Sequence, residues 1–315
     1  MAAGQERVLR RRIRSIQSTQ KITRAMELIA ASRIVRAQQA IDAAEPYVTQ
    51  LRRVVRDLSA VPEARSHPWF EPADERCAVV VVAADRGLCG AFNTSVVRVA
   101  EEVLRDEAGP GPFVVGAGRK VQSHFHFQGL ALDEVVTGVT DRPRFEDAQR
   151  VAAPVLGALG QGRAGRVLLV STRYAGAGSQ PVEARQLVPV AEGDAGDEEE
   201  RRTVAFELEP GPEEIMGQVL ARWLEVEVYA ALLESAASFH VAQQRAMQAA
   251  TDNADELVKT LTRAMNRARQ DAITTEIMEI VGGAEALRQA GREEEVASWS
   301  LAHFPQATVQ FPQAS

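Results

Sequence analysis

Residues 34–58 read IVRAQQAIDAAEPYVTQLRRVVRDL, and the apolar positions Ile34, Ala37, Ile41, Ala44, Val48, Leu51, Val55 and Leu58 alternate in steps of three and four. That alternation lays one residue per turn along a narrow stripe, the seam of a coiled coil. The predicted helix extends upstream as well, because from Glu6 to Ser59 there is no glycine and only Pro46 interrupts the pattern. In this first half the apolar stripe is less regular, with Leu9, Ile13, Ile16, Ile22, Met26 and Ile29 set among Arg10, Arg11, Arg12, Arg14, Lys21 and Arg24. One side is apolar and the rest is basic: residues 1–56 carry 12 Lys and Arg against four acids. Such a helix needs a protein surface for its isoleucines, which a free helix lying on nucleic-acid phosphates would leave in water.

A seam also needs a partner, and the far end of the chain offers one. Pro212 suits the first turn of a helix, and Met247, Thr251, Ala254, Val258, Leu261, Met265, Ala268 and Ala272 repeat the same spacing. Ile273, Ile277, Ile280, Ala284 and Leu287 continue it one position displaced, past which the pattern decays into Arg292-Glu293-Glu294-Glu295 and a repeated Phe-Pro-Gln-Ala. At a rise of ~1.5 Å per residue the two helices would be about 80 and 100 Å long, more than a small domain can cover.

The middle of the chain has another texture. Ala78-Val79-Val80-Val81-Val82-Ala83 is a continuous β-branched run, which predicts a strand buried on both faces and therefore a parallel sheet. Further strands are expected at Phe113–Gly116, Leu130–Val136 and Arg166–Val170, with helices near Val96–Glu107, Arg119–Phe127 and Phe145–Leu159. Strand and helix alternate as in a layered α/β domain. The acid-rich stretch Gly193 to Arg202 reads as a solvated loop.

Composition is consistent with this division. The chain has 315 residues, 45% apolar and 25% charged, a net charge of −7 and only 5% aromatic residues. These values suit a folded chain rich in helix and exclude bulk disorder. No apolar run reaches the ~18 residues of a spanning helix, and none follows the first basic residues as in a signal peptide. Two cysteines, Cys77 and Cys89, are too few for a disulfide framework and fit a reducing compartment.

Signals for chemistry are sparse. Gly116-Ala117-Gly118 follows a strand, but Val121 stands where a dinucleotide fingerprint has its third glycine. His124 and His126 point about 200° apart on a helix, so they cannot share one metal. Cys89 lies in a strand-to-helix turn, where a nucleophile could sit, yet no His or Asn partner is identifiable. The residues by themselves leave two readings: a mechanical or scaffolding protein, or a nucleotide-binding α/β enzyme dimerised by its coiled-coil helices.

Three blocks of sequence resemble the gamma subunit of F-type ATP synthase. They are Arg11-Arg12-Ile13-Arg14-Ser15-Ile16 with Thr19-Gln20-Lys21-Ile22-Thr23-Arg24-Ala25-Met26-Glu27, then Asp85-Arg86-Gly87-Leu88-Cys89-Gly90, and last Ala249-Ala250-Thr251-Asp252-Asn253-Ala254 with Asn266-Arg267-Ala268-Arg269-Gln270, Ile273 to Ile277 and Glu279 to Ala284. The resemblance implies the α/β fold class: a long antiparallel two-helix coiled coil from the two termini plus a central Rossmann-like α/β domain. The corresponding divisions are residues 1–60, 76–210 and 211–288, followed by an extension at 289–315 that is expected to be flexible.

The resemblance further implies a non-catalytic rotor subunit on the cytoplasmic face of the cell membrane, with no cofactor, no metal, no nucleic acid and no direct membrane insertion. Its implied partners are the hexamer of alpha and beta subunits, the epsilon subunit and the membrane ring of c subunits. Lys21, Met26, Arg269, Gln270, Thr274 and Glu276 would face the hexamer, and Phe206 and Glu209 would face epsilon and the ring. The sequence departs from the family at Thr275 and Leu208, and the family usually ends near Leu287.

Overall fold

A computed structural model of the chain describes residues 2–59, 67–70, 76–176, 178–190 and 212–303. The expected loop at 193–202, the positions Phe206, Leu208 and Glu209, and residues 304–315 lie outside the described residues. The chain divides into two compact units, Lys21–Thr251 and Met1–Gln20 with Asp252–Ser315.

Helix α1 spans Ala2–Ser59 and passes through Pro46 without ending. The sheet of the larger unit comprises β1 (Cys77–Val82), β2 (Phe113–Ala117), β3 (Glu134–Val136), β4 (Arg166–Thr172) and β5 (Val182–Val188), in the order β3-β2-β1-β4-β5. The first four pair parallel with one another, and β5 joins β4 as an antiparallel edge. Helices α2 (Phe92–Asp106), α3 (Arg119–Gln128) and α4 (Phe145–Gly160) connect the parallel strands, and α5 runs over Pro212–His303.

Every residue of β1 is buried, as its uninterrupted valines require in a sheet covered on both sides. Cys77, Val79 and Val81 face Val96, Ala100 and Val103 of α2 and Val121 and Phe125 of α3. Ala78, Val80 and Val82 face Ala148, Val151 and Val155 of α4 together with Val55 and Leu58 of α1 and Met216, Leu220, Leu224 and Val228 of α5. The long helices thus form one layer of the domain, and each fully buried aliphatic side chain there contributes roughly 1.5–3 kcal/mol. Strand β5 carries no uninterrupted apolar run and is absent from the sequence-based expectation. It pairs with β4 through a register irregularity at Val167/Leu168. The third strand is shorter than expected, Glu134–Val136 in place of 130–136.

In the larger unit α1 and α5 run antiparallel. Thr23 and Thr251 share a buried hydroxyl hydrogen bond of 2.8 Å, and Arg52 binds Glu227 through Nε at 2.6 Å and Nη2 at 2.8 Å. Arg185 of β5 reaches the same carboxylate at 2.7 Å, so Glu227, only 1% exposed, ties both helices to the sheet. Burial alone would raise its pKa, but the two guanidinium groups outweigh that and hold it below the ordinary carboxylate value.

Two sequence expectations are corrected. Ile22 and Ile29 were placed on the buried stripe, yet they are 59% and 51% exposed while Thr23 and Ala30 are buried. Small side chains let helix backbones approach closely, so the seam shifts by one residue and turns the bulkier isoleucines outward. The helical segment was also expected to stop near Leu287, with 289–315 as a flexible extension, yet α5 continues to His303. Glu293, Glu294, Glu295 and Ala297 are strong helix formers, and an isolated glycine such as Gly291 costs only about 1 kcal/mol relative to alanine.

Candidate functional site

In the smaller unit Ile13, Ala254 and Ala268 are buried, and Gln20 hydrogen-bonds Asp255. Counting residue for residue from that contact in an antiparallel pair, Ala2 falls opposite Ile273. Beyond that level α5 has no α1 beside it. Ile273, Ile277, Met278, Ile280, Val281 and Leu287 are 46%, 54%, 68%, 71%, 59% and 77% exposed. Sustained apolar spacing without cover marks a surface built to meet something else.

The residues singled out in the sequence distribute accordingly. Arg269, Gln270, Thr274 and Glu276 are all exposed and lie on the turns of α5 where α1 gives out. On a 3.6-residue helix Arg269 and Glu276 share one side, whereas Gln270 and Thr274 share another. Lys21, exposed, and Met26, half-buried, belong to the larger unit. Exposed Leu28 and Val35, together with Ile22 and Ile29, add an apolar outer face to α1 that spacing analysis had not separated from the seam.

The other place to look for chemistry is the carboxyl end of the parallel strands, where doubly wound sheets bind nucleotides at the strand-order switch. Here that region is occupied by the chain itself. The Asp85 carboxylate accepts hydrogen bonds from Gly138 N at 2.9 Å, Thr140 Oγ1 at 2.8 Å, Thr140 N at 3.3 Å and Arg119 N at 3.1 Å. The last donor belongs to the first turn of α3, so an internal carboxylate takes the anion position that a phosphate would use. Burial would raise the Asp85 pKa, but these donors outweigh it and leave it lowered. Gly118 has φ +104°, and a Cβ there would stand 2.2 Å from the Ala83 carbonyl oxygen. The Gly-Ala-Gly stretch therefore serves a close turn against β1.

Cys89 is 2% exposed and receives a hydrogen bond from Asn93 Nδ2 at 3.1 Å. Burial pushes its thiol pKa up, which disfavours the nucleophilic thiolate. His124 pairs with Glu101 at 2.9 Å, and no group of three potential metal ligands occurs among the described residues. No described helix is long and apolar enough to cross a membrane.

Fold and surface together define a class of protein in which the two terminal helices pair antiparallel and, in the larger unit, pack on an inserted doubly wound domain. Its most unusual surface is the uncovered end of α5, not a cleft at the sheet. A family model described as ATP synthase matches residues 5–287. A gamma chain of ATP synthase from Parafrankia sp. (strain EAN1pec) is 42% identical over 294 residues, covering 90% of this chain and 98% of the relative. The one from Frankia casuarinae is 43% identical over 295 residues, covering 90% and 98%. The chain belongs to the ATP synthase gamma chain family. Among solved structures, the fold is similar to a chain of the Euglena gracilis mitochondrial ATP synthase, with a TM-score of 0.64, 20% identity and coverage of 98% of this chain and 99% of the other. A central-stalk chain from Tetrahymena thermophila gives a TM-score of 0.56 at 23% identity, covering 73% and 99%.

Proposed function

We propose that the chain is the central rotor shaft of a proton-translocating ATP synthase, itself non-catalytic, acting at the cytoplasmic face of the cell membrane. Family membership gives the complex, and the uncovered apolar end of α5 is the observation that carries the mechanical role. Ile273, Ile277 and Ile280 need a collar of apolar surface that still permits sliding, because their contacts are non-directional. A hexamer of alpha and beta subunits supplies such a collar. Around it, Lys21, Met26, Arg269, Gln270, Thr274 and Glu276 touch the catalytic subunits. Each orientation of an asymmetric pair of helices presents them with a different face, and so shifts the populations of open and closed nucleotide sites.

Proton flow turns the membrane ring of c subunits, and the α/β domain transmits that turning with the epsilon subunit through the segment holding Phe206 and Glu209. The alternative, a nucleotide-binding enzyme, is disfavoured by Asp85, which already fills the anion position at α3. The test is Met26→Lys in the reconstituted complex, with ATP hydrolysis measured beside proton pumping. A lysine on this half-buried position adds a charge that pairs with acidic partner groups where the shaft must slide. Hydrolysis is expected to persist while pumping falls severalfold, and equal losses of both would refute a coupling role.

A further inference from the structure

Away from the uncovered helix end and the sheet's switch point, the larger unit has a partly open cavity of about 260 Å³ where three elements converge. Arg33 and Arg36 reach it from α1, Asp141 and Arg142 from the β3–α4 loop, and His240 from α5. Its cations are under-neutralised. Arg33 and Arg142 have no carboxylate partner among the described residues, and Arg36 donates to the Ser32 hydroxyl at 3.0 Å. The one acid in the cavity wall, Asp141, is already paired through Oδ2 with Arg86 at 3.0 Å.

Two buried polar atoms of residues in this wall have no hydrogen-bond partner: Asp141 Oδ1 and His240 Nδ1. His240 is 2% exposed. Burial pushes its pKa down, with Arg33 adding to the effect, so the ring is neutral at pH 7 despite Asp141 nearby. Its other polar neighbours are the main chain of Asp141 and the side chain of Gln243. A neutral imidazole has one donor and one acceptor nitrogen, and Nδ1 is buried without a hydrogen-bond partner. A buried polar atom left without a partner is destabilising, so two of them in one cavity wall call for a ligand that pairs them.

A ligand that satisfies the cavity must bring negative charge to the guanidinium groups and at the same time donate to the Asp141 carboxylate. Fully deprotonated anions fail the second condition, and neutral polyols fail the first. We propose that this cavity binds a tetrahedral oxyanion that still carries a proton at pH 7: inorganic phosphate. Arginine forks suit its charged oxygens, an O–H of its own donates to Asp141 Oδ1, and a further oxygen or O–H meets His240 Nδ1. Bound there, it would clamp α1, α5 and the β3–α4 loop together.

The test uses the purified full-length chain, titrated calorimetrically at pH 7 with inorganic phosphate, glycerol 3-phosphate and sulfate in turn. Saturable binding of phosphate is expected, at least tenfold tighter than sulfate, which has no proton to give at that pH, and tighter than the ester, whose phosphate is mostly deprotonated there. Arg142→Gln, on an exposed side chain remote from the core, is expected to weaken it at least tenfold with an unchanged melting temperature in the absence of ligand. Binding of the ester as tight as that of phosphate would overturn the requirement for a proton on the ligand. No saturable binding, equal affinity for sulfate, or indifference to Arg142→Gln would overturn the proposal. None of these outcomes depends on rotation, so the site and the shaft reading stand or fall separately.

Discussion

The β1 strand and the last third of α5 are made of similar side chains and meet opposite fates. Val79, Val80 and Val81 are 0% exposed, whereas Ile277, Ile280 and Val281 are 54%, 71% and 59% exposed. Hydrophobicity alone does not separate the two, since isoleucine is if anything the more apolar residue. What separates them is whether the chain supplies a second layer. The sheet has α2 and α3 on one face and α4 with the long helices on the other. The end of α5 outruns α1 and has neither. The same three-four pattern that reads as core at Val48 to Leu58 therefore reads as an interface beyond Ile273.

That contrast can be broken most easily at the core. Leu169→Ala removes a fully buried side chain from β4 and is expected to cost about 2–5 kcal/mol in denaturant unfolding, because neighbouring strands and helices cannot collapse onto the space. A loss under about 1 kcal/mol would mean that the sheet is far less tightly covered than its burial indicates.

Next in size is the ion cluster joining the layers. Glu227→Gln leaves Arg52 and Arg185 facing a neutral amide, and both guanidinium groups are about two-fifths exposed (44% and 42%), so water relieves part of the loss. A destabilisation of roughly 1.5–3 kcal/mol is expected, the range for hydrogen bonds to charged groups.

Acid titration sharpens the same point. Glu227 and Asp85 both have folded-state pKa values below their ordinary ones. A depressed carboxylate pKa means that the unfolded state binds more protons, so the stabilisation is complete above the unfolded pKa, about 4, and is lost as pH falls through the lower folded value. Glu234 opposes them, since burial raises its pKa and its contribution improves on acidification. The wild-type chain should lose stability below about pH 4, and Glu227→Gln with Asp85→Asn should flatten that slope. An unchanged slope in the double variant would place the acid-sensitive groups elsewhere.

The smallest effect on stability is expected at the uncovered helix end. Ile280→Ser should leave the melting of the isolated chain within about 0.5 kcal/mol of wild type, as for exposed substitutions generally. Its consequence should appear only in the assembled complex, as a weaker hold of the shaft measured by dissociation during gel filtration. Destabilisation comparable to Leu169→Ala would mean that the side chain is covered within this chain after all.

Sequence alone was enough for the periodicities, because they are local. The eight seam positions from Ile34 to Leu58 are all buried or half-buried, and the run Ala78–Ala83 is a strand hidden on both sides. Motif resemblance likewise sufficed for the family. Tertiary structure decided everything that depends on which surfaces meet. The exchange of Ile22 and Ile29 for Thr23 and Ala30 in the seam turns on how closely two helices approach, which one helix cannot report. Strand β5 exists because β4 offers an edge, and Glu227 is a hub because Arg52 and Arg185 arrive from 175 and 42 residues away along the chain. The role of Asp85 at the start of α3, and the unpartnered atoms of Asp141 and His240 in one cavity wall, likewise come from residues far apart in sequence. A sequence records which side chains are available, and only the folded chain determines which of them are left without a partner.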